Sequence, residues 1–139
     1  MKVLIDTNIM LDGILEREPF VSDALALFEA IELERVQGFV TATTLTNIFY
    51  IVRKQTKSID KAREAVIQTL ELMEVSAVNR LILQAALASN LRDFEDAVQL
   101  ACALGDRLDA IITRDPHDFA DSSLPILSVR ELLNQINYP

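Results

Sequence analysis

The chain has 139 residues, half of them hydrophobic, with a single cysteine and a formal net charge of −8. This is enough apolar material for one domain with a real core, which excludes a disordered chain, and the lone Cys102 excludes an internal disulfide and fits a reducing compartment. The acidic balance excludes gripping nucleic acid by bulk electrostatics, but not a nuclease whose own site acids raise the count, and it favours a basic protein partner. No apolar run approaches the ~18 residues of a membrane span, and Met1-Lys2 leads into a strand rather than a secretion signal. A soluble cytoplasmic protein with no membrane association is therefore expected.

In chain order, residues 2–6 form a short, continuously apolar run, the pattern of a strand buried on both faces. Ile9 to Leu15 predict a short helix, and Glu16 to Pro19 a loop. Ser22 is a plausible N-cap for a helix carrying Leu25, Phe28, Leu33 and Val36, with Gly38 as its stop. Phe39 to Ala42 read as a second strand. Thr43 or Thr44 can cap the next helix, which ends in Arg53-Lys54, where cations suit the helix dipole. Ser58 caps a helix through Met73, Val75 to Val78 are a weak third strand, and Asn79 caps Leu81 to Ala88. Asp93 caps Ala97 to Leu104, with Gly105 at the C′ position. Ala110 to Thr113 are the fourth strand and Ile126-Leu127 a short fifth. Ser128 and Glu131 form a capping box for the last helix. Strands alternating with helices predict an α/β fold: a three-layer α/β/α sandwich around a central, mostly parallel sheet of four to five strands, in one domain over 1–139.

The placement of the aspartates is the functional signal. Asp6 ends the first strand, Asp115 follows the fourth, and Asp93 and Asp96 open a helix three residues apart, on one face. Strand ends of this kind are where open α/β sheets bind ligands. Each acid also has an ordinary explanation: Asp6 and Asp115 as turn residues, Asp93 and Asp96 as helix capping. Glu95 is expected to turn away from Asp96 into solvent, and Asp118 to belong to a turn, with Phe119 packing beneath it. His117, the only histidine, has no cysteine or histidine partner for a zinc site. Several carboxylates in one pocket repel and remain ionised together only around cations, so Mg²⁺ or Mn²⁺ is expected. Such ions support phosphodiester hydrolysis.

Val3-Leu4-Ile5-Asp6-Thr7-Asn8, Asp96-Ala97-Val98 and Thr113-Arg114-Asp115-Pro116-His117-Asp118-Phe119 together resemble PIN domains, over essentially the whole chain and in the right order. The resemblance implies a metal-dependent ribonuclease, commonly a VapC-like toxin that pairs with an antitoxin and forms a homodimer. It assigns Asp6, Asp96 and Asp115 as metal-binding and catalytic, Thr113 and Asn8 as their hydroxyl and amide support, and Asp93 as a further contributor. One position departs from the family pattern. A Glu is usual on the helix after the second strand, but residues 38–54 contain no acid, and Asn47 stands at the site. An amide oxygen can bind a hard cation but brings no charge, so metal affinity should fall.

Three functions compete. The first is an endoribonuclease in which Arg53, Lys54 or Arg114 contact phosphates. The second is a catalytically weak or inactive PIN-like module that binds RNA or a protein. The third is a phosphatase of the haloacid-dehalogenase type, which needs a second Asp two residues after the nucleophile, where this chain has Asn8.

Overall fold

The computed structural model describes residues 1–139. Five strands, β1 (Lys2–Ile5), β2 (Gln37–Thr41), β3 (Glu74–Ser76), β4 (Ala110–Ile112) and β5 (Ile126–Leu127), form one sheet in the order β3-β2-β1-β4-β5. Every pairing is parallel. The helices are α1 (Thr7–Ile14), α2 (Val21–Glu32), α3 (Ala42–Thr56), α4 (Ile59–Leu72), α5 (Arg80–Ala88), α6 (Phe94–Gly105) and α7 (Val129–Gln135), with a 3₁₀ turn at Pro116–Phe119. No helix is long and apolar enough to cross a membrane.

Period-two side-chain alternation divides the core between the faces of the sheet. Val3 and Ile5 of β1 join Val40, Ala110 and Ile112 under the helices α1, α2, α3, α4 and α7. Leu4 and Ile111 face the other way, against Ala103 of α6 and Phe119 of the 3₁₀ turn. This is the expected three-layer sandwich, with both faces of a parallel sheet covered. The chain first builds outward from β1 through β2 to β3. It then crosses back through α5 and α6 to place β4 on the other side of β1. The strand order therefore reverses between β1 and β4, the place where doubly wound sheets open a crevice at their C-terminal ends. The register pairs Ile5 with Ile112, so the next residues, Asp6 and Thr113, emerge side by side there.

The caps at Ser58, Asn79, Asp93 and Ser128–Glu131 form as expected. Four local expectations are corrected. Ser22 lies inside α2, whose N-cap is Phe20 without a side-chain bond. Thr41, not Thr43 or Thr44, caps α3, because β2 passes directly into the helix. Gly38 does not stop α2; it is the second residue of β2, where a Cβ would meet Met73 Sδ at 2.6 Å and Ile31 Cδ1 at 2.7 Å. Gly105 ends α6 without a positive φ, and Arg107 takes the left-handed position at φ 55°.

Gly13 sets the approach of α2 to α1. A Cβ there would lie 2.3 Å from Phe28 Cε2. Gly13→Ala should therefore destabilise the fold by about 1–2 kcal/mol, overpacking outweighing the gain in helix propensity. Urea denaturation checks this.

Candidate functional site

Asp6 follows β1 and occupies the N-cap position of α1, yet its side chain makes no capping bond. Its backbone carbonyl starts the helix, accepting from the N–H of Ile9 at 3.0 Å. The carboxylate is turned instead into the crevice, where it is only 4% exposed. Thr113 Oγ1 donates to Oδ2 at 2.7 Å and Gln99 Nε2 to Oδ1 at 3.2 Å. Burial nevertheless wins over these donors, and pushes the Asp6 carboxyl above its ordinary range.

α6 brings the other acids. Its N-cap is Asp93, whose Oδ1 accepts from the N–H of Asp96 at 3.0 Å, so Asp93 is a capping residue at the rim of the crevice. Asp96 is half-buried, and its Oδ1 lies 3.5 Å from Gln99 Nε2. Burial, then repulsion from Asp93, Asp6, Asp118 and Glu95, push its carboxyl up to about 7.

Glu95 corrects the sequence reading. It is half-buried rather than solvated, and Asn47 Nδ2 donates to its Oε2 at 2.5 Å. Burial raises the Glu95 carboxyl, against the pull of the nearby Thr7 hydroxyl. Adjacent residues diverge around a helix in mid-course. Here the N-cap and first turn of α6 border the crevice, and both Glu95 and Asp96 line it. Asp118, expected only as a turn residue, lines the same cleft.

Thr113 also holds the segment after β4, accepting from the N–H of Asp115 at 3.0 Å. Asp115 is half-buried, and its charge acts on Asp6. Arg114 is not a free phosphate contact. Its Nε and Nη2 donate to Asp12 at 2.8 and 3.3 Å, and its guanidinium stacks 4.1 Å from the centroid of Phe20. Asp12, with its side chain 1% exposed, also pairs with Arg17 at 3.6 Å. This knot ties the loop carrying Asp115 to α1.

The resulting cleft, about 200 Å³, is lined by Asp6, Thr7, Asn8, Ile51, Asp93, Glu95, Asp96 and Asp118. An adjoining cleft of about 280 Å³ shares Asp93, Asp96 and Asp118 with it, whereas the larger cavities, of about 340 and 550 Å³, hold no such cluster of acids at the C-terminal strand ends. The chemistry, not the volume, marks the site.

A family model described as the PIN domain matches residues 2–117. The chain belongs to the PIN domain family. No curated protein matches it. Among solved structures, this PIN domain is similar to a chain of a toxin–antitoxin complex from Klebsiella pneumoniae, at 23% identity and a TM-score of 0.67, covering 91% of this chain and 97% of that one. It is also similar to a chain of VapBC-1 from nontypeable Haemophilus influenzae, at 17% identity and a TM-score of 0.68, covering 94% and 99%. A third is VapBC2 from Rickettsia felis bound to a promoter DNA fragment, at 14% identity and a TM-score of 0.66, covering 92% and 98%. At these identities the likeness is one of fold.

The donor set fits a hard divalent cation on two grounds. Every polar side-chain atom that the acids present to this PIN-domain cleft is an oxygen. Gln99, fully buried between Asp6 and Asp96, spends its amide N–H₂ on both carboxylates and leaves Oε1 without any partner. A neutral amide is thus the only donor shared by Asp6 and Asp96, and an unpartnered oxygen acceptor is buried beside them. As the side chains stand, no three acids enclose an ion. Asp6 is the member held in place, by Thr113 and Gln99.

Two outcomes follow from the charges. Asp96 is raised from 3.8 to about 7, so its protonated form is favoured by folding. That contribution is complete below about pH 4 and is lost as pH rises through 7. In a chelator, Tm should fall between pH 5 and pH 8, and Asp96→Asn should flatten the fall; an unchanged slope contradicts it. Arg114→Ala leaves the Asp12 carboxylate with Arg17 alone and should cost on the order of 3 kcal/mol in urea denaturation.

Proposed function

We propose that this PIN domain is a metal-dependent endoribonuclease that cleaves RNA phosphodiesters as the toxin of a toxin–antitoxin pair. The observation that carries the reading is the Asp6 carboxylate. It occupies a helix N-cap position without capping, and is held in a buried crevice beside the acids of α6. A capping or turn role accounts for none of that arrangement.

Asp6, Asp96 and Asp115 would hold Mg²⁺ or Mn²⁺, with Asn8, Asn47, Asp93 and Thr113 in support. Such an ion, when bound, stabilises charge developing on the phosphate and lowers the pKa of an attacking water. The chain's own residues do the positioning. Thr113 fixes one Asp6 oxygen and Gln99 the other. The Arg114–Asp12 pair holds the Asp115 loop against α1. Substrate phosphates need cations beyond the acidic cleft. Arg53 and Lys54 are exposed at the end of α3, whose Ile51 lines the cleft, and Arg92 lines an adjoining cleft with Asp93, Asp96 and Asp118.

Support for an antitoxin partner comes from the similar structures, which are of toxin–antitoxin and VapBC assemblies. Leu81 and Leu87 of α5, 73% and 74% exposed, offer apolar surface for a protein partner. A cytoplasmic homodimer is the form that the resemblance implies. Binding without cleavage is the second reading, and Asn47 in place of an acid favours it.

Purified protein should cleave RNA with Mg²⁺ or Mn²⁺, stop in EDTA, and lose the activity in Asp6→Asn. Undiminished cleavage by Asp6→Asn sinks the nuclease assignment. RNA binding with no cleavage under any metal supports the second reading instead.

A further inference from the structure

We propose that Glu95, positioned by Asn47, is a metal-ligating carboxylate of this site: the acid missing from α3 is supplied by α6. The inference rests on the metal-dependent reading above and deepens it.

Asn47 stands 48 residues from Glu95 in sequence, yet its Nδ2 donates to Glu95 Oε2 at 2.5 Å. A different helix, α3, therefore fixes this side chain, and Thr7 at the start of α1 lines the cleft beside it. Thr7 is itself held. Its Oγ1 lies 2.8 Å from Thr44 Oγ1, and Thr41 Oγ1 donates to Thr44 Oγ1 at 3.1 Å. A surface glutamate has no such support; this one is held by α3, the helix that leaves the end of β2 directly. It lines the same cleft as Asp6 and Asp96.

The amide at position 47 follows from electrostatics. A second carboxylate there would face Glu95 within hydrogen-bonding distance, and two such groups cannot both be ionised without a cation between them. An Asn donates instead. It holds Glu95 by one oxygen and leaves the other free for a ligand. The site thus keeps one acid at this corner but draws it from the opposite side of the cleft. The buried Gln99 amide independently shows the site short of donors: its Nε2 is shared between Asp6 and Asp96, and its Oε1 has no partner at all.

Mn²⁺ titration of the metal-free protein by calorimetry and by electron paramagnetic resonance tests this without reference to activity. Glu95→Gln should weaken Mn²⁺ binding by about tenfold or more, and Asn47→Ala, which releases Glu95 without removing a charge, by about tenfold. The exchange Asn47→Glu with Glu95→Gln, which returns the acid to α3, should recover most of the loss. Thermal unfolding of each variant separates a lost ligand from a lost fold, and the exchanged pair decides if Glu95→Gln alone does not fold. Wild-type binding in Glu95→Gln, alongside lost binding in Asp6→Asn, overturns the role of Glu95 and leaves the metal site standing. A wild-type protein that binds no Mn²⁺ overturns both.

Discussion

The structure depends on one buried carboxylate. Asp6 leaves the central strand at the point where the sheet reverses its order, with β2 on one side and β4 on the other. Removing such a group from water is costly unless donors meet it. The parallel register meets part of that cost directly, because pairing Ile5 with Ile112 delivers Thr113 beside it. Gln99, reaching down from the second turn of α6, meets another part. β4 and α6 are thereby tied to the end of β1 by polar bonds as well as by apolar packing.

That arrangement concentrates negative charge. Asp93, Glu95, Asp96 and Asp118 surround a carboxylate that is already desolvated, and their repulsion adds to burial in raising Asp96 to about 7. The fold tolerates the repulsion through neutral donors: an amide from Gln99, a hydroxyl from Thr113, an amide from Asn47. None of these supplies charge. The orphaned Oε1 of Gln99 shows how incomplete the compensation is. A site built this way carries electrostatic strain that its neutral donors only partly relieve.

The positively charged side chains near the crevice divide by role. Arg114 is committed to Asp12 and stacked on Phe20, so its charge stabilises the loop rather than a ligand. Arg53 and Lys54 sit exposed at the far end of α3.

The sequence by itself determined the strand–helix alternation, the four side-chain caps at Ser58, Asn79, Asp93 and Ser128, and the positions of Asp6, Asp96 and Asp115, because local periodicity and short-range hydrogen bonding carry that information. It misread Gly38 and Gly105 as helix stops, since the reason for a small residue at each is a neighbour distant in sequence, Met73 and Ile82 respectively. The tertiary structure alone decided which acids share the cleft. Glu95 was assigned to solvent from the angular spacing of a helix interior, and only the placement of the first turn of α6 at the crevice brings it to Asn47. Likewise Asn47 looked like a deficit along the chain. Its meaning lies in a side chain 48 residues away, and no local pattern encodes a hydrogen bond across that separation.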